Sequence, residues 1–101
     1  MLICRFKAQS QPHKTEQVRE VLEAAIGPSR AVDGVIAFDI AQDLADPNAF
    51  VATEVYEDRA ALDRQESIPE VGKVMAVLGE SLAGPPEVTL FHVSSSEERA
   101  L

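Results

Sequence analysis

The segment Leu2-Ile3-Cys4-Arg5-Phe6-Lys7-Ala8 alternates, with Leu2, Cys4, Phe6 and Ala8 on one side and Arg5 and Lys7 on the other, the period of a strand. Gln11-Pro12-His13-Lys14 breaks the pattern. Thr15 can cap the next segment, where Val18, Val21, Leu22, Ala25 and Ile26 fall at helical spacing. Gly27-Pro28 is expected to stop or kink that helix near Ile26, with one further turn through Arg30. Asp33-Gly34 reads as a turn and Val35 to Ala41 as a second strand, apolar except for Asp39. The turn formers between Asp43 and Asn48 predict a long hairpin loop, and Phe50 to Tyr56 a third strand. Asp58 is a cap for a short helix from Arg59 to Gln65. Ser67-Ile68-Pro69-Glu70 has the form of a capping box for a last helix striped by Val71, Val74, Met75, Leu78 and Leu82. Gly84-Pro85-Pro86 ends it, and Val88 to Val93 is a fourth strand.

The order β-α-β-β-α-β, with its second helical segment split, predicts an α+β fold: a ferredoxin-like antiparallel sheet with helices on one face. Residues 1–93 form one domain and 94–101 a polar tail. The uncovered face of such a sheet ordinarily turns polar. Here Val35, Ile36, Ala37, Phe38 and Ile40 occupy both faces of the second strand, and the third and fourth strands repeat the pattern. Each Val or Phe left in water forfeits roughly 1.5–3 kcal/mol of burial. Two copies pressing their open faces together would recover it, so a homodimer with a barrel-like core is expected. The alternative is a monomer whose patch is covered by the tail, but Ser94 to Leu101 has almost nothing apolar to cover it with.

Composition narrows the functional classes. The chain has 101 residues, enough for one modest core. A net charge of −8 disfavours nucleic acid and anionic membranes as partners. No apolar run approaches the ~18 residues of a membrane-spanning helix. The first residues are too charged for a signal peptide, which makes a cytoplasmic location the expectation. The single Cys4 excludes an intrachain disulfide, and His13 and His92 have no ligand spacing around them. There is no phosphate-binding glycine loop. No metal and no cofactor is therefore expected.

Several motifs in order resemble the antibiotic biosynthesis monooxygenase family of dimeric α+β barrels, whose relatives include quinol monooxygenases. They are Pro12-His13-Lys14 before an acidic helix, Gly34 to Phe38, Asp46-Pro47-Asn48-Ala49-Phe50, and the run from Glu54-Val55-Tyr56 to Leu62-Asp63-Arg64-Gln65. The resemblance covers residues 1 to about 93. Where the family usually has tryptophan this chain has Tyr56, and at a position that is asparagine in some members it has Ala52. Gln65 and Glu70 replace customary histidines, and the 71–82 helix has no histidine, against a haem-degrading relative.

The resemblance implies a monooxygenase that needs neither metal nor flavin and acts on a small aromatic, phenolic or quinol substrate. The protein would supply an apolar pocket, a group to take the phenolic proton, and donors to steady the anion. The catalytic candidates are Tyr56, Glu54 and His92; Phe38, Met75 and Arg5 are the substrate-binding candidates. Glu54 shares a strand face with Tyr56 and is costly there unless it pairs with Arg5 or Lys7 or acts as a base with a raised pKa. Each candidate also has a structural reading: core aromatic for Tyr56 and Phe38, hydrogen-bonded histidine for His92, core filler for Met75. Cys4 reads as a small buried apolar residue. Two other functions fit the same fold, a proton-transfer enzyme or isomerase using Glu54 or His92, and a non-catalytic small-molecule-binding barrel.

Overall fold

A computed structural model describes residues 1–101. The strands are β1 (Leu2–Gln9), β2 (Val35–Asp43), β3 (Asp46–Tyr56) and β4 (Glu87–His92). The helices are α1 (Thr15–Arg30), α2 (Arg59–Glu66) and α3 (Pro69–Ser81), with a 3-10 turn at Pro12–Lys14. The strands form one antiparallel sheet in the order β2-β3-β1-β4. This is the ferredoxin-like α+β fold, with the helices on one face.

Alternation fixes which side chains meet them. In register, Cys4 lies between Glu54 and Leu90, and Leu2 between Tyr56 and His92. One core cluster joins Leu2, Cys4 and Tyr56 to Ala61 and Leu62 of α2. A second joins Val18 and Leu22 of α1 to Phe50 and to Leu78 of α3. Gly34 has φ +87, and a Cβ there would stand 2.7 Å from the Ala61 Cβ, so only glycine lets the start of β2 sit this close to α2.

Thr15 does not cap α1: it is the first residue of the helix, and no side chain caps that end. Three further local expectations are corrected. First, α1 does not stop at Ile26 but continues as one helix through Pro28, ending at Arg30 where the further turn was expected. Gly27, having no Cβ, relieves one part of the crowding that Pro28 imposes, and the proline stands only two residues from the helix end. Second, the long hairpin loop is only Leu44-Ala45. The carboxylates assigned to the loop instead tighten the turn: Asp43 Oδ1 accepts from the Ala45 N–H at 2.8 Å and Asp46 Oδ1 from the Asn48 N–H at 3.0 Å. Third, Ser67 does not cap α3. It ends α2, and its hydroxyl donates to the Asp63 carbonyl at 2.7 Å, while α3 starts after Ile68 with Pro69 in its first turn. Asp58 caps α2 as expected, accepting from the Ala61 N–H at 2.9 Å.

The sheet's other face has no cover within the chain. Ile3, Val51, Val55 and Phe91 alternate onto it among Arg5, Lys7, Thr53 and Asp39, and Phe91 is 48% exposed. Ile36, at a register shift between Val35 and Ala37, is also exposed. Residues 95–101 form neither helix nor strand and are exposed.

Candidate functional site

Between the sheet and the helices lies a cavity of about 240 Å³ lined by 17 residues. Its floor is built from inward positions of β1, β2 and β3, including Cys4, Phe38, Ala52 and Glu54. Leu62 and Gln65 of α2 and Leu78 of α3 close its side. Four lining residues are exposed, Glu66, Met75, Pro86 and Val88, and these mark the mouth between α2, α3 and the start of β4. Two broader surface hollows, about 470 and 500 Å³, are lined mostly by polar side chains and lack this apolar wall.

Glu54 is the only charged residue that the strands turn into the cavity. Its Oε1 accepts from the Tyr56 hydroxyl at 2.5 Å. Strand periodicity makes the pair, since residues two apart on β3 share a face. Burial raises the Glu54 pKa; the Tyr56 hydrogen bond opposes that rise, and nearby Glu66 adds to it. Burial and then the Glu54 carboxylate push the Tyr56 phenol well above its ordinary range. Burial, with Glu54 and Glu66, raises the Cys4 thiol to about 11, which keeps it protonated and unreactive at neutral pH.

The sequence-derived candidates separate in space. Glu54, Phe38 and Met75 line the cavity. Tyr56 does not: it is fully buried behind Glu54, and its hydroxyl is spent on that carboxylate. Arg5 points to the uncovered face of the sheet, away from the cavity. Lys7 shares that face and pairs with Asp43 at 3.5 Å, so neither cation meets Glu54. His92 lies on the helix side, but at the far end of β4 beside Leu2, where it is exposed in a separate hollow with Glu57 and Asp58. Asp39 pairs with Arg30 at 3.1 Å on the surface.

The residue reading missed Gln65 and Glu66 as cavity residues. Gln65 is buried, and its Nε2 donates to the hydroxyl of fully buried Ser29 at 3.1 Å. No buried side-chain polar atom lacks a partner, and no donor reaches Gln65 Oε1, so that oxygen is the accessible end of the amide. The signal was the spacing of Ala61, Leu62 and Gln65, one face of a helix pointing inward.

Residues 1–77 match the family model described as antibiotic biosynthesis monooxygenase. Rv0793 of Mycobacterium tuberculosis is 35% identical over 90 residues, covering 89% of this chain and 86% of that protein. Its solved structure superposes with a TM-score of 0.88, covering 96% of this chain and 98% of that one. The uncharacterized protein sll1783 of Synechocystis is 28% identical over 87 residues, 86% of this chain, which spans 59% of that longer protein's length. PA3566 of Pseudomonas aeruginosa, at 23% identity and TM-score 0.85 over 93% of this chain and 94% of its own, shares the fold. The chain belongs to the antibiotic biosynthesis monooxygenase family.

Proposed function

We propose that this member of the family is a cofactor-independent monooxygenase that oxidises a small phenolic or quinol ring in the cavity beneath the sheet. The observation that carries the reading is Glu54. It is a carboxylate turned into an apolar cavity with no cation to neutralise it, oriented by the Tyr56 hydroxyl and with its pKa raised by burial. A base poised above the ordinary carboxylate range is better matched to a phenolic proton. Tyr56 acts on the substrate only through Glu54. Phe38 and Met75 supply apolar wall.

The proposed step takes a dihydroxylated ring and O₂ to a hydroxyquinone and water. Glu54 accepts a phenolic proton, and the electron-rich ring passes an electron to O₂. Radical recombination forms the ring C–O bond, and cleavage of the O–O bond releases one oxygen as water. Four electrons leave the ring and four enter O₂, so no external reductant is consumed. The active unit is proposed to be a cytosolic homodimer joined through the uncovered sheet face, which presents Ile3, Val51, Val55 and Phe91.

Oxygen uptake by the protein with a hydroquinone panel, compared with Glu54→Gln, tests the reading. Substrate-dependent uptake that falls at least tenfold in the variant is expected. Turnover unaffected by the substitution would remove Glu54 from the mechanism. A substrate rearranged without oxygen consumption would favour the proton-transfer alternative, for which the same carboxylate suffices.

A further inference from the structure

The polar groups lining the cavity are unusually one-sided. Glu54 and Glu66 bring two carboxyl groups, and the accessible end of Gln65 is an acceptor oxygen because its Nε2 is committed to Ser29. The Tyr56 hydroxyl, the nearest strong donor, is committed to Glu54. No lysine, arginine or histidine is among the lining residues. Arg5 and Lys7 face the other side of the sheet, and Arg30 and Arg64 are held elsewhere, by Asp39 and by the Asp33 carbonyl at 2.8 Å. One carboxylate, Glu66, stands exposed at the mouth, so an entering molecule meets negative charge before it meets the apolar floor. An anion crossing that mouth would lose its hydration and find no donor or positive charge in return, a cost that grows as the local dielectric falls.

We infer that the cavity discriminates by charge, admitting aromatic rings that are neutral or cationic and bring hydroxyl or amine donors, and rejecting rings that carry a carboxylate, sulfonate or phosphate. This rests on the cavity being the substrate site, as proposed above, and it adds the substrate's charge class. Donors on the ring are matched to Glu54 and Gln65 Oε1; an acidic substituent is matched to nothing. Glu66 sets the entry preference and Glu54 the preference inside.

The test uses two probes of one shape under anaerobic conditions, so that binding is read apart from turnover. Hydroquinone and 2,5-dihydroxybenzoate differ by a single carboxylate. Binding to the full chain is followed by ligand-observed NMR and calorimetry, with Glu66→Gln and Glu66→Lys as variants at an exposed position that leaves the core untouched. Hydroquinone is expected to bind at least tenfold more tightly than the carboxylated ring. Glu66→Gln should narrow that ratio and Glu66→Lys narrow it further, with added salt reducing the differences among the three proteins. Equal or tighter binding of 2,5-dihydroxybenzoate by the unaltered chain would overturn the inference, as would a ratio indifferent to both variants or the failure of both rings to bind. If hydroquinone binds with the expected preference but no oxygen is consumed when air is admitted, the charge selection stands and the oxygenase reading falls.

Discussion

Each side of β3 carries residues that its surroundings alone do not explain. The covered side holds Ala52, Glu54 and Tyr56, two of them with polar groups, beneath three helices. The uncovered side holds Val51, Thr53 and Val55, two of them apolar, facing away from the helices. A sheet satisfied as a lone domain would keep Phe50, Ala52 and the Tyr56 ring under the helices, but it would have no carboxylate at Glu54 and polar residues in place of Val51 and Val55. Polar groups retained under the helices are costly unless they serve a site, and apolar groups retained outside are costly unless they meet a partner. These exceptions point to a cavity with chemistry on one side and to assembly on the other.

The largest effect should come from removing the ring at the covered end of that contrast. Tyr56→Ala takes a fully buried aromatic from the cluster of Leu2, Cys4, Ala61 and Leu62 and leaves Glu54 without its donor. A loss of about 3–5 kcal/mol is expected from the lost burial of the ring and the cavity it leaves. The adjacent Val55→Ala, measured at low concentration where copies are apart, should cost much less. Urea midpoints of the two variants make the comparison, and equal losses would mean that β3 is not divided as described.

The uncovered side is next. If copies join through Ile3, Val51, Val55 and Phe91, a C2 arrangement places each substitution in the interface twice. Val55→Asp should then cost, per copy, more than the about 1–3 kcal/mol of an unpaired neutral polar group, because the group buried is a carboxylate. Light scattering should report twice the 10.9 kDa chain mass for the unaltered protein and the single mass for the variant. A monomer at micromolar concentration before any substitution would break the reading of this face.

Tyr56→Phe is a smaller change on the covered side, keeping the ring and deleting only the hydroxyl. Because that hydroxyl donates to Glu54, the variant leaves a half-buried carboxylate short of a bond, at a cost of about 1–3 kcal/mol. A lower melting temperature is expected. Turnover of any substrate should change only as far as Glu54 loses its orientation, since the hydroxyl itself lies outside the cavity. A variant with unaltered stability and abolished turnover would instead put the hydroxyl on the substrate.

The sequence made the fold readable because periodicity is local. Leu2 to Ala8 could be assigned from its own alternation, and α1 from its own stripe. It also placed Glu54 and Tyr56 on one strand face, because that follows from a period of two. What it lacked was register between elements. Without knowing that Leu2 opposes His92 and Cys4 opposes Leu90, nothing separates a histidine at a strand's end from one over the cavity. Arg5 was joined to the pocket although its own parity with Cys4 and Phe6 already set it on the other face. Gln65 required knowing that Ser29, 36 positions earlier, would stand beside it. The turn residues of Asp43 to Asn48 were recognised, but their carboxylates shorten the turn where composition suggested a long one.

The finest contrast between regions is one of sign in the response to pH. Glu54 has its pKa raised by burial, so the folded state holds its proton more tightly than the unfolded chain does. Its contribution is fully present below the ordinary glutamate value and is lost as pH rises through the native-state value. Asp43, at the exposed hairpin turn, is shifted the other way, chiefly by the Ala45 N–H and secondarily by Lys7, so its contribution is present above the ordinary aspartate value and lost as pH falls. Glu54→Gln should therefore remove the decline in stability on the alkaline side of the ordinary glutamate pKa, while Asp43→Asn should soften the acid limb only, and weakly because the group is exposed. Tyr56→Phe should extend the Glu54 decline to higher pH, because the lost hydrogen bond was holding that pKa down. Denaturant midpoints measured from pH 4 to 8 decide it: a Glu54→Gln profile parallel to that of the unaltered chain would mean that Glu54 titrates as an ordinary solvated carboxylate, and the base at the centre of the proposed chemistry would be lost with it.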